Sequence, residues 1–263
     1  VGRFVPGIVY LVGAGPGVPD LITLRALRIL RTADAVLYDA LLSPELLLEA
    51  KPDAELLSVG KRGYCIGSTN QETIHEALIR LAREGKTVCR LKCGDPCLFG
   101  RGGEEAEALA AKGIEVVIVP GVTSALGAAA VAGIPLTHRE IGPSVTFATG
   151  HHDPDSEDCK LDWPMLARSP AVVFYMAVRH IERIAAKLIE CGMPATTAAA
   201  IIENGTLTNQ REIIADLEII GDLGRSANVQ APALFIVGEV VRHRVPPRFH
   251  TAFRIQNSAL VST

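Results

Sequence analysis

The stretch TVCRLKCGDPCLFGRGGEEAEALAAKGIEVVIV, residues 87–119, decides the fold. It opens on a strand-like run, TVCRLK, and turns at Gly94–Asp95–Pro96. GEEAEALAAKG then reads as a helix ending at Gly113, and EVVIV as a second strand. A strand, a covering helix and a second strand imply parallel pairing, because the helix carries the chain back to the starting edge of the sheet.

The alternation continues on both sides. IVYLV (Ile8–Val12) is an unbroken apolar run of the kind found in buried parallel strands. LITLRALRILRTA has apolar residues at helical spacing, and AVLYD and ELLSVG read as strands. SPELLLEA starts a helix with Ser43 as cap and Pro44 at the first helical position. TNQETIHEALIRLAREG has a capping box, Thr69 to Glu72, and closes on Gly85. After Pro120 the texture changes: TSALGAAAVAG is a helix of small residues, suited to close packing, and IPLTHREIGPS is a loop. SVTFATG, AVVFYMA, TAAAIIENG and ALFIVGEVV then read as strands, with RHIERIAAKLIECG as an amphipathic helix stopped at Gly192.

The expected fold class is therefore α/β: two domains with mostly parallel sheets and a ligand cleft between them. The expected bounds are an N-terminal domain at 1–121, a linking helix and loop at 122–140, a C-terminal domain at 141–244 and a tail at 245–263.

The chain has 263 residues, 48% hydrophobic and 21% charged, which is the balance of a folded protein with a large core. A net charge of −3 predicts no general attraction to nucleic acid or to an anionic membrane, so an anionic ligand needs a local basic cluster. No apolar run is long enough to span a bilayer, and the first residues lack the apolar core of a signal peptide. A cytoplasmic location and free thiols are expected.

Several loops after strands carry candidate chemistry. VGAGPG, with glycines from Gly13 to Gly17, permits close approach of backbone to a ligand, and Asp39 stands where a dinucleotide domain holds a ribose. A purely structural turn explains the glycines equally well, and Pro16 removes an N–H that a phosphate would need. Lys61 and Arg62 in GKRG could meet a carboxylate or lie in solvent. Asp95 could accept a hydrogen bond from a ligand or serve an Asp–Pro turn. Cys89, Cys93 and Cys97 are no metal site: an extended strand puts Cys89 and Cys93 about 13 Å apart, too far for one tetrahedral ion, and there is no Cys-x-x-Cys pair. GRGGEE lacks the Gly-Lys-Ser/Thr ending of a phosphate loop, and Glu104 and Glu105 would compete with phosphate at the helix start.

Taken in order, LVGAGPG, VLYDALLSPELL, VGKRG, RLKCGDPCLFGRGGEEAEAL, VPGVTSALGAAAVAGIPLTHRE, SVTFATGHH, VVFYMA, AIIENGT and PALFIVGEVV resemble the tetrapyrrole methylase superfamily, and within it the uroporphyrinogen-III C-methyltransferase family. The resemblance implies a homodimer of two-domain α/β subunits that bind S-adenosylmethionine between the domains and release S-adenosylhomocysteine. It implies methylation of two pyrrole carbons of uroporphyrinogen III, giving precorrin-2 for sirohaem or corrinoid synthesis. Carried over by motif, the cofactor residues are Pro16, Cys93, Gly94, Asp95, Leu98, Thr123, Ser124, Met176 and Gly205. Asp39 and Lys61 take the proton-handling roles. Arg62, Arg101, His138 and Arg139 are candidates for the carboxylates of the tetrapyrrole substrate. No metal, nucleic acid or membrane partner is implied.

The chain departs from the family at one loop. Where the pattern is RLKGGDPFIFGRGG, this sequence has Cys93 in place of a glycine and Cys97 in place of a bulky apolar residue. A Cβ at residue 93 is expected to restrict backbone torsion and alter cofactor affinity. Val18 also replaces the acid usual after Gly-Pro-Gly. Competing readings are a precorrin methyltransferase of the same fold, an NAD-dependent oxidoreductase built on Gly13–Gly17 and Asp39, and a binding protein that has lost turnover.

Overall fold

The computed structural model of the chain describes residues 7–60 and 70–245. They form two units. The first comprises the described residues up to Ala128 together with Asn204–Leu207, and the second comprises Ala129–Glu203 with the described residues from Thr208 onward.

The first unit runs β1 (Ile8–Gly13), α1 (Leu24–Leu30), β2 (Ala35–Tyr38), α2 (Pro44–Leu47), β3 (Glu55–Ser58), α3 (Gln71–Arg83), β4 (Val88–Lys92), α4 (Gly102–Ala110), β5 (Glu115–Val119) and α5 (Ser124–Val131), the last of which crosses into the second unit. Its five strands lie in the order β3-β2-β4-β1-β5 and every pair is parallel. Alternation along the strands sorts their side chains to two faces. Val9, Leu11, Leu37 and Val88 pack with Ile74, Leu78 and Leu81 of α3 and Leu109 of α4. Val12, Val36, Cys89 and Leu91 pack on the other face with Ala26, Leu30 and Leu46 from α1 and α2.

Local signals account for the helices. Thr23 caps α1 by accepting from the Ala26 N–H, and Ser43 caps α2 by accepting from Glu45 N–H, with Pro44 following as expected. The capping Thr69 lies outside the described residues, and α3 starts after Asn70.

The second unit runs β6 (Thr146–Thr149), α6 (Trp163–Ala167), β7 (Val172–Tyr175), α7 (Ile181–Glu190), β8 (Ala198–Glu203), β9 (Arg211–Asp216), α8 (Leu217–Ser226) and β10 (Ala233–Val237). The sheet order is β6-β7-β10-β8-β9. Only β6 and β7 pair in parallel; the other pairs are antiparallel, so this sheet is mixed. Phe174 and Phe235 stack at its centre, 5.9 Å between ring centroids, with Ile184, Leu188, Leu217 and Ile220 packed around them.

Among the described residues, no helix is long and apolar enough to cross a membrane.

Candidate active site

The loops that follow β4, β1 and β5 leave neighbouring strands of the first sheet at the same edge. The connection after β1 passes to β2 and the one after β4 passes to β5, so the chain diverges between them. In open α/β sheets that divergence opens the ligand crevice.

Backbone contact is very tight here. Gly15 and Gly94 bridge the first two loops with reciprocal hydrogen bonds of 3.2 and 2.7 Å. A Cβ on Gly13 would lie 2.5 Å from the Gly121 nitrogen, and one on Gly121 would lie 2.3 Å from the Gly94 carbonyl oxygen. The three loops therefore meet closely because no side chain fits at Gly13 or Gly121.

Asp95 fastens the arrangement. Its Oδ1 accepts from the Cys97 and Leu98 N–H groups at 2.8 and 3.2 Å, and its Oδ2 accepts from Gly121 N–H at 3.1 Å. Asp95 thus serves the turn foreseen for it. Thr123 and Ser124 open α5 beside it, with a Cβ on Gly94 falling 3.6 Å from the Ser124 nitrogen.

Cys93 is accommodated without the torsional conflict expected of it. The left-handed backbone falls on Gly94, φ 71°, and Cys93 is not among the residues with positive φ. Its Sγ faces the Gly15 carbonyl oxygen at 3.8 Å, and burial pushes the thiol pKa up to about 11.

Behind the loops is a charge network that sequence reading missed. Arg90 and Lys92 alternate with Leu91 along β4 and face α4, where Glu105 is fully buried. Glu105 Oε1 accepts from Lys92 Nζ at 3.0 Å, Arg90 Nε at 3.3 Å and Gln71 Nε2 at 3.1 Å. Among the described residues, Glu105 Oε2 has no hydrogen-bond partner. Burial, then the Arg90 charge, lowers the proton affinity of Lys92. Arg90 also reaches Asp39 Oδ1 at 2.5 Å. Asp39, which a dinucleotide domain would turn to a ribose, is thus held by a buried guanidinium and remains 29% exposed, open to a ligand. Two cations on one face of a central strand were the available signal, since each needs a carboxylate partner.

The remaining predicted residues are placed as follows. Gly205 belongs to the Asn204–Leu207 turn of the first unit. Leu98 is half-buried beside Asp95, and Arg101 is exposed and paired with Glu104 at 2.5 Å. Met176 follows β7 in the second unit, 54% exposed and at φ 56°. His138 makes a turn with Gly142 in that unit and lies against the His243 ring, while Arg139 is exposed. Lys61 and Arg62 lie outside the described residues. No group of three or more His, Cys, Asp and Glu side chains among the described residues is arranged to hold a metal ion.

The sequence pattern of the Tetrapyrrole (Corrin/Porphyrin) Methylases matches residues 8–220. The chain belongs to this family. Among curated methylase relatives, the sirohaem synthases of Nitrosospira multiformis and Chromobacterium violaceum are each 50% identical to it, over 242 and 236 residues. The aligned region covers 91% of this chain and 51% of the Nitrosospira protein, so the chain spans about half the length of these relatives. A uroporphyrin-III C-methyl transferase from Thermus thermophilus, solved in complex with S-adenyl homocysteine, superposes with a TM-score of 0.77 at 40% identity. The match covers 90% of this chain and 100% of the Thermus chain. A cobalt precorrin-4 methyltransferase superposes at 0.80 with 28% identity, covering 92% of this chain and 98% of its own. Membership in the methylase family removes the dinucleotide oxidoreductase reading.

Proposed function

We propose that this chain methylates uroporphyrinogen III at two pyrrole carbons, using S-adenosylmethionine and giving precorrin-2. The observation that carries this reading is the 40% identity to the Thermus thermophilus uroporphyrin-III C-methyl transferase across 90% of the chain. That the Thermus protein was solved with S-adenyl homocysteine supports the choice of methyl donor.

The loop chemistry fits that donor. Gly13 and Gly121 leave backbone bare where a Cβ would collide, and Gly94 takes a left-handed torsion of φ 71°. Residues 14–23, 93–100 and 120–123 of these loops hold no lysine or arginine, and Pro16 has no N–H, so they are poorly equipped for phosphate. A sulfonium nucleoside asks instead for apolar surface, backbone hydrogen bonds and no repelling cation. Pro16, Cys93, Gly94, Asp95, Leu98, Thr123 and Ser124 would hold it, with Met176 and Gly205 carried over from the family pattern. When bound, S-adenosylmethionine supplies an electrophilic methyl group and leaves as S-adenosylhomocysteine.

The chain's part is alignment and proton handling. Holding a pyrrole carbon in line with the methyl group is an entropic task, met by loops fixed against one another. The methylated ring must then lose a proton, and Asp39, oriented by Arg90, is its acceptor. Lys61 is the proton donor in this reading. Arg62, Arg101, His138 and Arg139 are offered to the substrate carboxylates, Arg101 by exchanging Glu104 for a substrate carboxylate. A homodimer belongs to the same reading, supported by the resemblance and by exposed Ile214, Ile219 and Leu223 in the second unit. Light scattering tests it.

The decisive experiment is incubation with labelled S-adenosylmethionine and uroporphyrinogen III under anaerobic conditions. A doubly methylated product is expected, and Asp39→Asn should lower its rate about 100-fold or more. The likeness to the cobalt precorrin-4 methyltransferase supports a second reading, a later corrinoid intermediate as acceptor. Label transferred only to such an acceptor would replace the first reading with the second.

A further inference from the structure

We propose that Thr206 is a positioning residue for the methyl-donor site, acting through the loop at Pro16–Val18; this rests on that loop belonging to the donor site. The turn that carries it is unusual. Asn204 and Thr206 have φ of 51° and 72°, while Gly205 between them is not in the left-handed region. Asparagine tolerates such torsions, but a β-branched residue does so only where its surroundings insist.

The surroundings are the first loop. Thr206 Oγ1 accepts a hydrogen bond from the Val18 N–H at 3.2 Å, across 188 residues of sequence. A Cβ on Gly17 would lie 2.8 Å from that oxygen and 3.0 Å from Leu207 Cδ2. A Cβ on Gly127 would lie 2.5 Å from Pro16 Cγ and 3.3 Å from Thr206 Cγ2. The threonine is thus wedged by its methyl group near α5 and by its hydroxyl against the loop. Gly15 and Gly17 make that loop costly to order on its own, and Gly15 is already tied to Gly94. Thr206 ties the far end. With both ends fixed, Pro16 is set in place before a ligand arrives, and that preorganisation favours binding.

The hydrogen bond can be cut from either side. Thr206→Val keeps the branched shape and loses the acceptor. Val18→Pro removes the donor at a residue whose φ of −63° and ψ of 133° proline accepts. Calorimetric titration with S-adenosylhomocysteine should show each variant weaker by about fivefold to tenfold, the worth of one hydrogen bond. The double variant should be no weaker than the worse single, because both remove one interaction. Thr206→Ser, which keeps the hydroxyl, should stay within about threefold of wild type. In turnover, KM for the donor should rise while kcat holds, a split that general loss of structure does not produce. Wild-type affinity in both single variants, or losses that add in the double, overturns the role. If Thr206→Val does not fold, Val18→Pro reads the same bond. A wild-type chain that takes no S-adenosylhomocysteine overturns the donor site itself, and this role with it.

Discussion

Cys93 and Cys97 sit four residues apart in one loop and should react differently. Burial raises the proton affinity of both, but Cys97 is exposed whereas Cys93 has its pKa at about 11 and its Sγ against Gly15. Since the thiolate is the reactive form, brief treatment with iodoacetamide near pH 7 should modify Cys97 first and leave Cys93 and Cys89 largely intact. Peptide mass spectrometry reads the order, and early modification of Cys93 would contradict the placement of its thiol. Cys93→Gly should cost about 1 kcal/mol or less through added backbone freedom, with S-adenosylhomocysteine affinity within about threefold of wild type. The departure from the family at this residue was legible from sequence. Its consequence was not, because the left-handed torsion falls on Gly94, and which of two adjacent residues takes it is set by the folded loop.

At the scale of elements, β4 and α4 are joined by charge as well as by apolar packing. Glu105→Leu would leave Arg90 and Lys92 buried without their shared carboxylate, an arrangement that costs about 3–5 kcal/mol. Urea unfolding should show that loss, whereas breaking the exposed Arg101–Glu104 pair should cost no more than about 1 kcal/mol. A loss below about 1 kcal/mol for Glu105→Leu would mean the network contributes little. The sequence made the strand and the helix plain through periodicity and glycine stops. It hid the link between them, since side chains fifteen residues apart meet only after the sheet forms. β9 and α8 were missed for another reason. REIIAD runs straight into LEIIGDLG without a loop, and paired isoleucines suit either a strand or a helix. Asp216, standing just before α8, was the boundary signal that could have separated them.

For the whole molecule, acid stability should depend on the edge of the second sheet. Burial, then the neighbouring His152 and His180, lowers the proton affinity of His151. The folded state therefore binds fewer protons there than the unfolded chain. Its contribution is complete above the ordinary histidine pKa of about 6.5 and is lost as pH falls through the window below it. Between about pH 7.5 and pH 5, the Tm of wild type should fall further than that of His151→Gln, as read by differential scanning fluorimetry. Equal slopes would remove His151 as a source of acid sensitivity. The α/β class with two sheets was legible from the alternation of strands and helices. The antiparallel pairs of the second sheet were not, because a buried apolar run reads the same in either direction.

One structural feature bears on how the gene can be divided. The first unit is not a continuous length of chain: Asn204–Leu207, coded well downstream, completes it. A gene cut after residue 128 would encode every strand of the first sheet yet omit the threonine that ties down Val18. Each piece would then be incomplete in a different way, one lacking a wedge and the other carrying a turn with nothing to grip. The break between coding segments and the break between folded units therefore do not coincide.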